Sequence, residues 1–369
     1  MEKITVAVVG AGVAGNFHCK ALMQVYRAKV RLKTIVDADT ERAFDLLEKW
    51  GFQNATADYE SVLQDPEIDL VCIALPTMIH AQFGIKALSA GKHVICEKPL
   101  TGYFGLPEDE GMYESLLGEM DALRTAVDGG KAEFLYAETY LCFPRYADIA
   151  EIPRRLDARV LGFEAQCSIH GAEPDFIGIR KHVGENSLMR IAAYPLSGIL
   201  YCKQWEARIN DEDIYVTGVS ADMGQKPADS ANGVENFVSI TVAFSDGSEG
   251  VVYSCDKPYY DSASGSMRNW VKLRCDNGCS YERTMTPADN IKMYFADQEG
   301  YESAWQQTNW FNKHDAEEAY DKYVIELNRY IGRAVRNRRG ANGFSLTYDC
   351  VKIIRAAYLS AQTGRRIDL

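Results

Sequence analysis

The first 136 residues alternate short apolar runs with stretches whose apolar positions recur every three to four residues. Residues 3–9 (KITVAVV), 31–36, 70–74 and 93–96 read as strands, and residues 14–26, 41–50 and 79–90 as helices. A longer helix is expected over 106–127 and one more strand over 132–136. Strands in strict alternation with helices form βαβ units, because parallel neighbours need a long crossover between them. A parallel sheet flanked by helices is expected here.

From about Arg159 the pattern changes. Apolar segments 238–244 and 250–254 flank Asp246-Gly247, and segments 271–275 and 279–283 flank Asn277-Gly278, dipeptides that suit tight hairpin turns. A helical insert is expected over 187–205, and amphipathic helices over 321–336 and 347–362. The expected fold class is α/β: an N-terminal Rossmann dinucleotide-binding domain over 1–136, then a C-terminal α+β domain with a large mixed or antiparallel sheet over 137–369. The second domain is expected to carry substrate binding and oligomerisation. Segments 238–244 and 251–253 are taken as apolar on both faces, which predicts a homo-oligomer held through the open side of that sheet.

Length and charge narrow the function. At 369 residues the chain is long enough for two domains. Forty Lys+Arg against 52 Asp+Glu give a net charge of −12, which repels nucleic acid and anionic membranes, so neither is an expected partner. The start, MEKITVAVVG, has no basic segment ahead of a long apolar one, and a cytoplasmic location is expected. Ten scattered cysteines without a CxxC pair predict free thiols and no metal site, although Cys275 and Cys279 could meet across a hairpin.

The candidate chemistry begins after the first strand. Gly10-Ala11-Gly12-Val13-Ala14-Gly15 falls between a strand and a helix, the context in which a GxGxxG run binds a dinucleotide. Gly10 permits the turn, Gly12 lets a pyrophosphate approach, and Gly15 allows close packing of helix on strand. The N–H groups of Val13 and Ala14 open the helix toward the phosphates. Asp37 ends the second strand, where its carboxylate would accept from both ribose hydroxyls of NAD and repel a 2′-phosphate. No Arg or Lys adjoins it in sequence. NAD is the expected cofactor.

Residues 75–100 carry a more specific pattern: Leu75-Pro76-Thr77, His80, Ala90-Gly91-Lys92-His93-Val94 and Glu97-Lys98-Pro99-Leu100. Behind a dinucleotide fingerprint, this pattern resembles the signature of the glucose-fructose oxidoreductase, inositol dehydrogenase and MocA family (Gfo/Idh/MocA). The resemblance implies NAD(P)-dependent oxidation of a secondary alcohol, usually on a sugar or cyclitol, and a cis peptide before Pro99. It also implies that Lys98 is aimed toward where nicotinamide meets substrate. Leu75, Pro76, Thr77 and His80 are expected to shape the cofactor pocket, and Glu97 to bond cofactor or Lys98, or else to be solvated.

The family's Asp and His on the helix after a glycine-rich run correspond here to Arg190 and Tyr194, in the run 184–194. Four apart on a helix, they would share a face. Lys and Tyr both start near pKa ~10, so a neutral Lys98 or an ionised Tyr194 at pH 7 costs about 4 kcal/mol unless the site shifts it. Lys98, Tyr194 and His170 therefore all remain candidate bases, and Tyr140, His170, Arg190, Tyr194 and Lys98 candidate substrate contacts. The expected reaction is oxidation of a secondary hydroxyl, such as C3, on a sugar or glycoside. Alternatives are a cyclitol or dihydrodiol dehydrogenase, or a non-catalytic NAD-binding regulator.

Overall fold

The computed structural model describes residues 3–102, 112–142, 157–169, 187–224, 235, 237–256, 270–285, 288–296, 302–310, 314–336 and 344–369. The chain forms two compact units, one of residues 1–103, 114–139 and 319–348, the other of residues 104–113, 140–318 and 349–369.

In the first unit, strands β1 (Lys3–Val9), β2 (Lys29–Val36), β3 (Asn54–Thr56), β4 (Leu70–Ile73), β5 (His93–Glu97) and β6 (Phe134–Ala137) form one sheet in the order β3-β2-β1-β4-β5-β6. Every pair is parallel. Helices α1 (Val13–Leu22), α2 (Thr40–Trp50), α3 (Tyr59–Gln64), α4 (His80–Ser89) and α5 (Met112–Gly129) make the crossovers. All four residues of β4, and β1 from Ile4 onward, are buried, as a parallel sheet covered on both faces requires. Strand order reverses between β1 and β4, so the loops leaving these strands part to opposite sides and open a crevice at the sheet's carboxyl edge.

The elements β3 and α3 were not foreseen, being only three and six residues long and too short for periodicity. Asp58 was the available signal: its side chain accepts from the Glu60 and Ser61 N–H groups at the start of α3, as Asp39 does for α2.

The expected division at residue 136 needs correction. The chain's late helix α7 (His314–Ala334) returns, from Ala319 onward, to the first unit. The Tyr330 hydroxyl reaches the Val94 and Glu133 carbonyls at 2.8 and 3.0 Å, and Asn328 Oδ1 accepts from the Tyr26 and Arg27 N–H groups. These polar anchors supply partners for backbone groups at the edge of the sheet and after α1. Amphipathic periodicity marks α7 as a helix that buries one face, but not against which unit.

The second unit is built on a nine-stranded sheet in the order β14-β13-β12-β11-β7-β10-β9-β8-β15. Its strands are β7 (Val160–Ile169), β8 (Val216–Gly224), β9 (Phe237–Phe244), β10 (Glu249–Asp256), β11 (Trp270–Cys275), β12 (Ser280–Met285), β13 (Ala288–Ala296), β14 (Glu302–Trp310) and β15 (Ile367–Asp368). β7 pairs parallel with β10 and the other pairs are antiparallel, so the sheet is mixed. Helix α6 (Ala193–Asn210) lies on one face, close enough that Ile199 fills the space a side chain on Gly250 would need. Helix α8 (Phe344–Thr363) joins this unit from Asp349, its Ser360 hydroxyl accepting from Ala221 N–H at 2.9 Å.

The Lys203 ammonium on α6 is buried against Glu206 (2.6 Å), Asp246 (2.7 Å) and the Val160 carbonyl (3.2 Å), so its three protons have three acceptors. That clasp ties α6 to β7 and to the turn between β9 and β10. The expectation of apolar residues on both faces holds for residues 251–253 of β10, where Val251 and Tyr253 share the open face and Val252 is buried, but is not met in β9. β9 alternates buried Val238, Ile240, Val242 and Phe244 with half-buried Phe237, Ser239, Thr241 and Ala243. Across the register, Tyr253 on the same open face meets Ser239 and Gln166. Cys275 and Cys279 are buried free thiols, and burial pushes that of Cys275 up to about 12.

Candidate cofactor and catalytic site

The crevice at the carboxyl edge of the first sheet is lined by three loops. After β1, Gly10 adopts φ +107°, and a side chain there would strike the Ala74 carbonyl at 2.2 Å. A Cβ on Gly15 would lie 1.9 Å from the Gly10 carbonyl, whereas one on Gly12 meets nothing within 4 Å. Two glycines are therefore demanded by backbone packing, and the third leaves open space where a ligand can approach.

No side chain caps the N-terminus of α1, in contrast to the Asp caps of α2 and α3, and Val13 there is 90 % exposed. Open N–H groups beside a surface gap are the donor set a pyrophosphate requires. The residues present thus fit a dinucleotide.

Asp37, just past β2, is buried and does more than wait for a ribose. Its Oδ2 accepts from Ala11 N–H at 2.7 Å, which fastens the glycine turn, and its Oδ1 accepts from Asp39 N–H at 2.8 Å. The absence of a neighbouring cation in the sequence does not carry into space. Arg42 on α2 places Nη2 3.1 Å from Asp37 Oδ1 and Nε 3.1 Å from Asp39. Helical winding brings position 42 back over the strand end, which chain neighbours alone do not reveal.

After β4, Pro76 leads into a 3₁₀ turn over Thr77–Ile79, and His80 starts α4. His80 is buried with Nδ1 2.7 Å from the Pro99 carbonyl and Nε2 2.6 Å from the Leu75 carbonyl. Burial pulls its pKa down, opposed by the two carbonyls, which favour the protonated ring. His80 thereby sits between the loop after β4 and the loop that bears Lys98, donating to one of the two carbonyls when neutral and to both when protonated.

That third loop follows β5 and holds a cis Lys98-Pro99 peptide. Glu97 is not solvated: its Oε2 accepts from Lys98 N–H at 3.0 Å and its Oε1 lies 2.9 Å from His18 Nε2. Burial would raise its pKa, but His18, with smaller contributions from Lys98, holds it below the usual carboxylate value. His18 is 1 % exposed on α1, and its Nδ1 lies 2.9 Å from the Tyr323 hydroxyl on α7. Burial would lower the imidazole pKa, yet the Cys72 thiol and the Glu97 carboxylate outweigh it and raise the value to about 10. Neither His18 nor Tyr323 is among the site residues expected from the sequence. The available signal was a histidine on the face of α1 that also buries Gly15, Cys19 and Leu22.

In the second unit, Arg190 lies in a π-helical turn, Ser187–Ala192, and Tyr194 in the first turn of α6. The expected common face of a regular α-helix is thus replaced by a wider winding. Pro195 is the physical reason and was visible in the sequence: it has no N–H for the Ile191 carbonyl, and its ring crowds that carbonyl. Tyr194 is 8 % exposed and packs with Cys167 and Ile191. Tyr140 falls in a 3₁₀ turn, Thr139–Cys142, but its side chain and that of Arg190 are outside the description. His170 lies outside the described residues.

Comparison with known proteins agrees with this geometry. Residues 4–108 match the family model GFO_IDH_MocA, described as an oxidoreductase family with an NAD-binding Rossmann fold. The chain is similar to a levoglucosan dehydrogenase of Pseudarthrobacter phenanthrenivorans, with 38% identity over 125 residues that span 31% of each protein. It is also similar to a myo-inositol 2-dehydrogenase of Thermotoga maritima, with 33% identity over 96 residues, 26% of this chain and 28% of that one. These matches span about a third of the relatives' own length. The solved structure of a levoglucosan dehydrogenase in complex with NADH and levoglucosan superposes with a TM-score of 0.79 at 20% identity, over 100% of this chain and 99% of that one. The fold is therefore shared along the whole chain.

Proposed function

We propose, from the match of residues 4–108 to the Gfo/Idh/MocA oxidoreductase family model with its NAD-binding Rossmann fold, that the protein is an NAD-dependent dehydrogenase that oxidises a secondary hydroxyl of a sugar or glycoside. The observation that carries this reading is the placement of Lys98 on a loop pinned at both sides. Glu97 holds the Lys98 N–H and His80 holds the Pro99 carbonyl, so the lysine stem starts from a fixed point. β5 lies two strands from β1, about 10 Å along the carboxyl edge. Lys98 therefore springs from the same edge as the fingerprint glycines.

In this mechanism Gly10, Gly12, Val13, Ala14 and Gly15 hold the pyrophosphate, and Asp37 accepts from the ribose hydroxyls. Leu75, Pro76 and Thr77 border the crevice. Bound NAD supplies the hydride acceptor. Lys98, in its neutral form, takes the hydroxyl proton at Nζ, so that the electron pair of the O–H bond closes the carbonyl while hydride leaves the carbinol carbon for that acceptor. Tyr140, His170, Arg190 and Tyr194 are the proposed substrate contacts. The Arg190 fork is suited to gripping several hydroxyls, and Tyr194 and His170 are the reserve bases. The reading extends to a glycosyl unit oxidised at a ring position such as C3, and to a homo-oligomer joined through the open face of the second sheet, around Tyr253 and Trp270.

The similarity to an inositol dehydrogenase favours cyclitols as the second reading. Reduced-cofactor formation is to be followed across free hexoses, anhydrosugars, glycosides and cyclitols, with product analysis by NMR. Turnover of a sugar or glycoside at a ring carbon is the expected result. Activity confined to cyclitols would promote the second reading, and no turnover of any of these would overturn both.

A further inference from the structure

Three segments far apart in sequence converge on one buried group. His18 comes from α1, Glu97 from β5 and Tyr323 from α7, with 79 and 305 residues separating His18 from its two partners. Resting on the reading of Lys98 as the group that takes the proton, we propose that His18 is a positioning residue for it: an imidazolium that neutralises Glu97, so that Lys98 is attached beside a compensated carboxylate and gives up its own proton more readily.

The chemistry follows from the charges. Glu97 is bonded to the Lys98 backbone N–H, and its carboxylate and the Lys98 ammonium attract one another. A bare carboxylate at this place would hold the proton on Lys98 and make it a poorer base. A cation 2.9 Å from the other carboxylate oxygen offsets that field. His18 is 1 % exposed and the Glu97 side chain 14 %, so little water is present to screen the carboxylate if the imidazole were absent.

Among the described residues, the titratable groups that bear on this pair come from every neighbouring element. Cys72 on β4 faces His18, and Tyr323 on α7 closes its Nδ1 side. His80 at the start of α4 feels both Glu97 and Lys98. Tyr323 packs at 5.5 Å on Phe17, and Tyr320 lies under the Lys20 ammonium at 4.6 Å, so the aromatic wall of α7 closes this side. The Tyr323 hydroxyl accepts from a doubly protonated ring, whereas it would have to donate to a neutral one protonated at Nε2. The protonation state of His18 is thus a direct readout.

Two measurements test the proposal without requiring turnover. Nitrogen-15 NMR of histidine-labelled full-length protein at pH 8 is expected to show His18 with both ring nitrogens protonated, and a neutral ring would overturn the idea. The pH midpoint of Lys98 modification by an amine-reactive reagent, read by peptide mass spectrometry, is the second. His18→Gln is expected to move this midpoint upward by one to two units, about the size of one uncompensated charge at close range in an effective dielectric of ~20.

The double variant His18→Gln/Glu97→Gln removes both charges and is expected to return the midpoint to within about half a unit of wild type. An unshifted single variant, or a double variant shifted as far as the single, would mean that His18 only fastens α7 to the sheet, and would overturn the proposal. Retained NAD binding verifies that the variants fold; if His18→Gln does not, the wild-type NMR result decides. Expected shifts in a protein that turns over no sugar or cyclitol would refute the proposed function and leave this inference standing.

Discussion

Replacing Asp37 by Ser separates the two jobs that its carboxylate performs. In the ribose site, a charged acceptor of hydroxyl hydrogen bonds contributes about 1.5–3 kcal/mol per bond, so losing one bond weakens NAD by roughly 10- to 150-fold. For NADP the sign reverses. A doubly charged 2′-phosphate in contact with a carboxylate is repelled by about 2 kcal/mol even in bulk water, and by more in the buried setting of Asp37. Relief of about 2 kcal/mol is a 30-fold gain. Arg42 adds to it, since its Nη2, now 3.1 Å from Asp37, is released to meet the phosphate while Nε stays on Asp39. The preference for NAD over NADP should therefore fall by a factor of several hundred or more.

Ala11 N–H loses its 2.7 Å acceptor in the same variant, which costs about 1–3 kcal/mol of stability unless the serine hydroxyl replaces it. Titration calorimetry with NADH and NADPH, with melting curves run alongside, reads both effects. In Asp37→Ser/Arg42→Ala the NADP gain should shrink, and Asp37→Ser/Ala38→Arg should enlarge it. Wild-type protein that binds NADP as tightly as NAD, or a single variant whose preference moves less than threefold, would refute the reasoning.

Lys98→Met should leave NAD affinity nearly unchanged and remove most turnover, because a side chain of similar length without an amine cannot take a proton; equal turnover would leave Lys98 a bystander. Lys203→Met should destabilise the second unit by about 3–5 kcal/mol in urea melts, because Glu206 and Asp246 lose the buried cation that pairs with them. The raised pKa of His18 makes a contribution to stability that is complete below its unfolded value of 6.5 and is lost as pH rises toward about 10. Melts from pH 6.5 to 9 should therefore fall for wild type more steeply than for His18→Gln. Sedimentation should show a species heavier than 41.2 kDa at micromolar concentration, and Tyr253→Lys on the open sheet face should shift it to the monomer.

Sequence alone determined the features that short stretches encode. The strand of residues 3–9, its glycine turn and the helix after it follow from period and from sterics that act within about fifteen residues. The hairpins at Asp246-Gly247 and Asn277-Gly278 follow from glycines at φ +82° and +79°, and the Glu97-Lys98-Pro99 loop was legible because its chemistry is contiguous. Only the tertiary structure decided which distant surfaces meet. The period of α7 shows that one face is buried, but its docking on the Rossmann unit depends on Asn328 and Tyr330 finding backbone partners some 200 to 300 residues away. The Arg42–Asp37 pair needs the winding of α2, and the parallel pairing of β7 with β10 needs residues 87 apart, such as Gly162 and Glu249, to lie side by side. Burial is the common reason. Whether His18 is a buried charge facing Glu97 or an ordinary helix histidine depends on what surrounds it, and residues 72, 97 and 323 surround it only after the chain has folded.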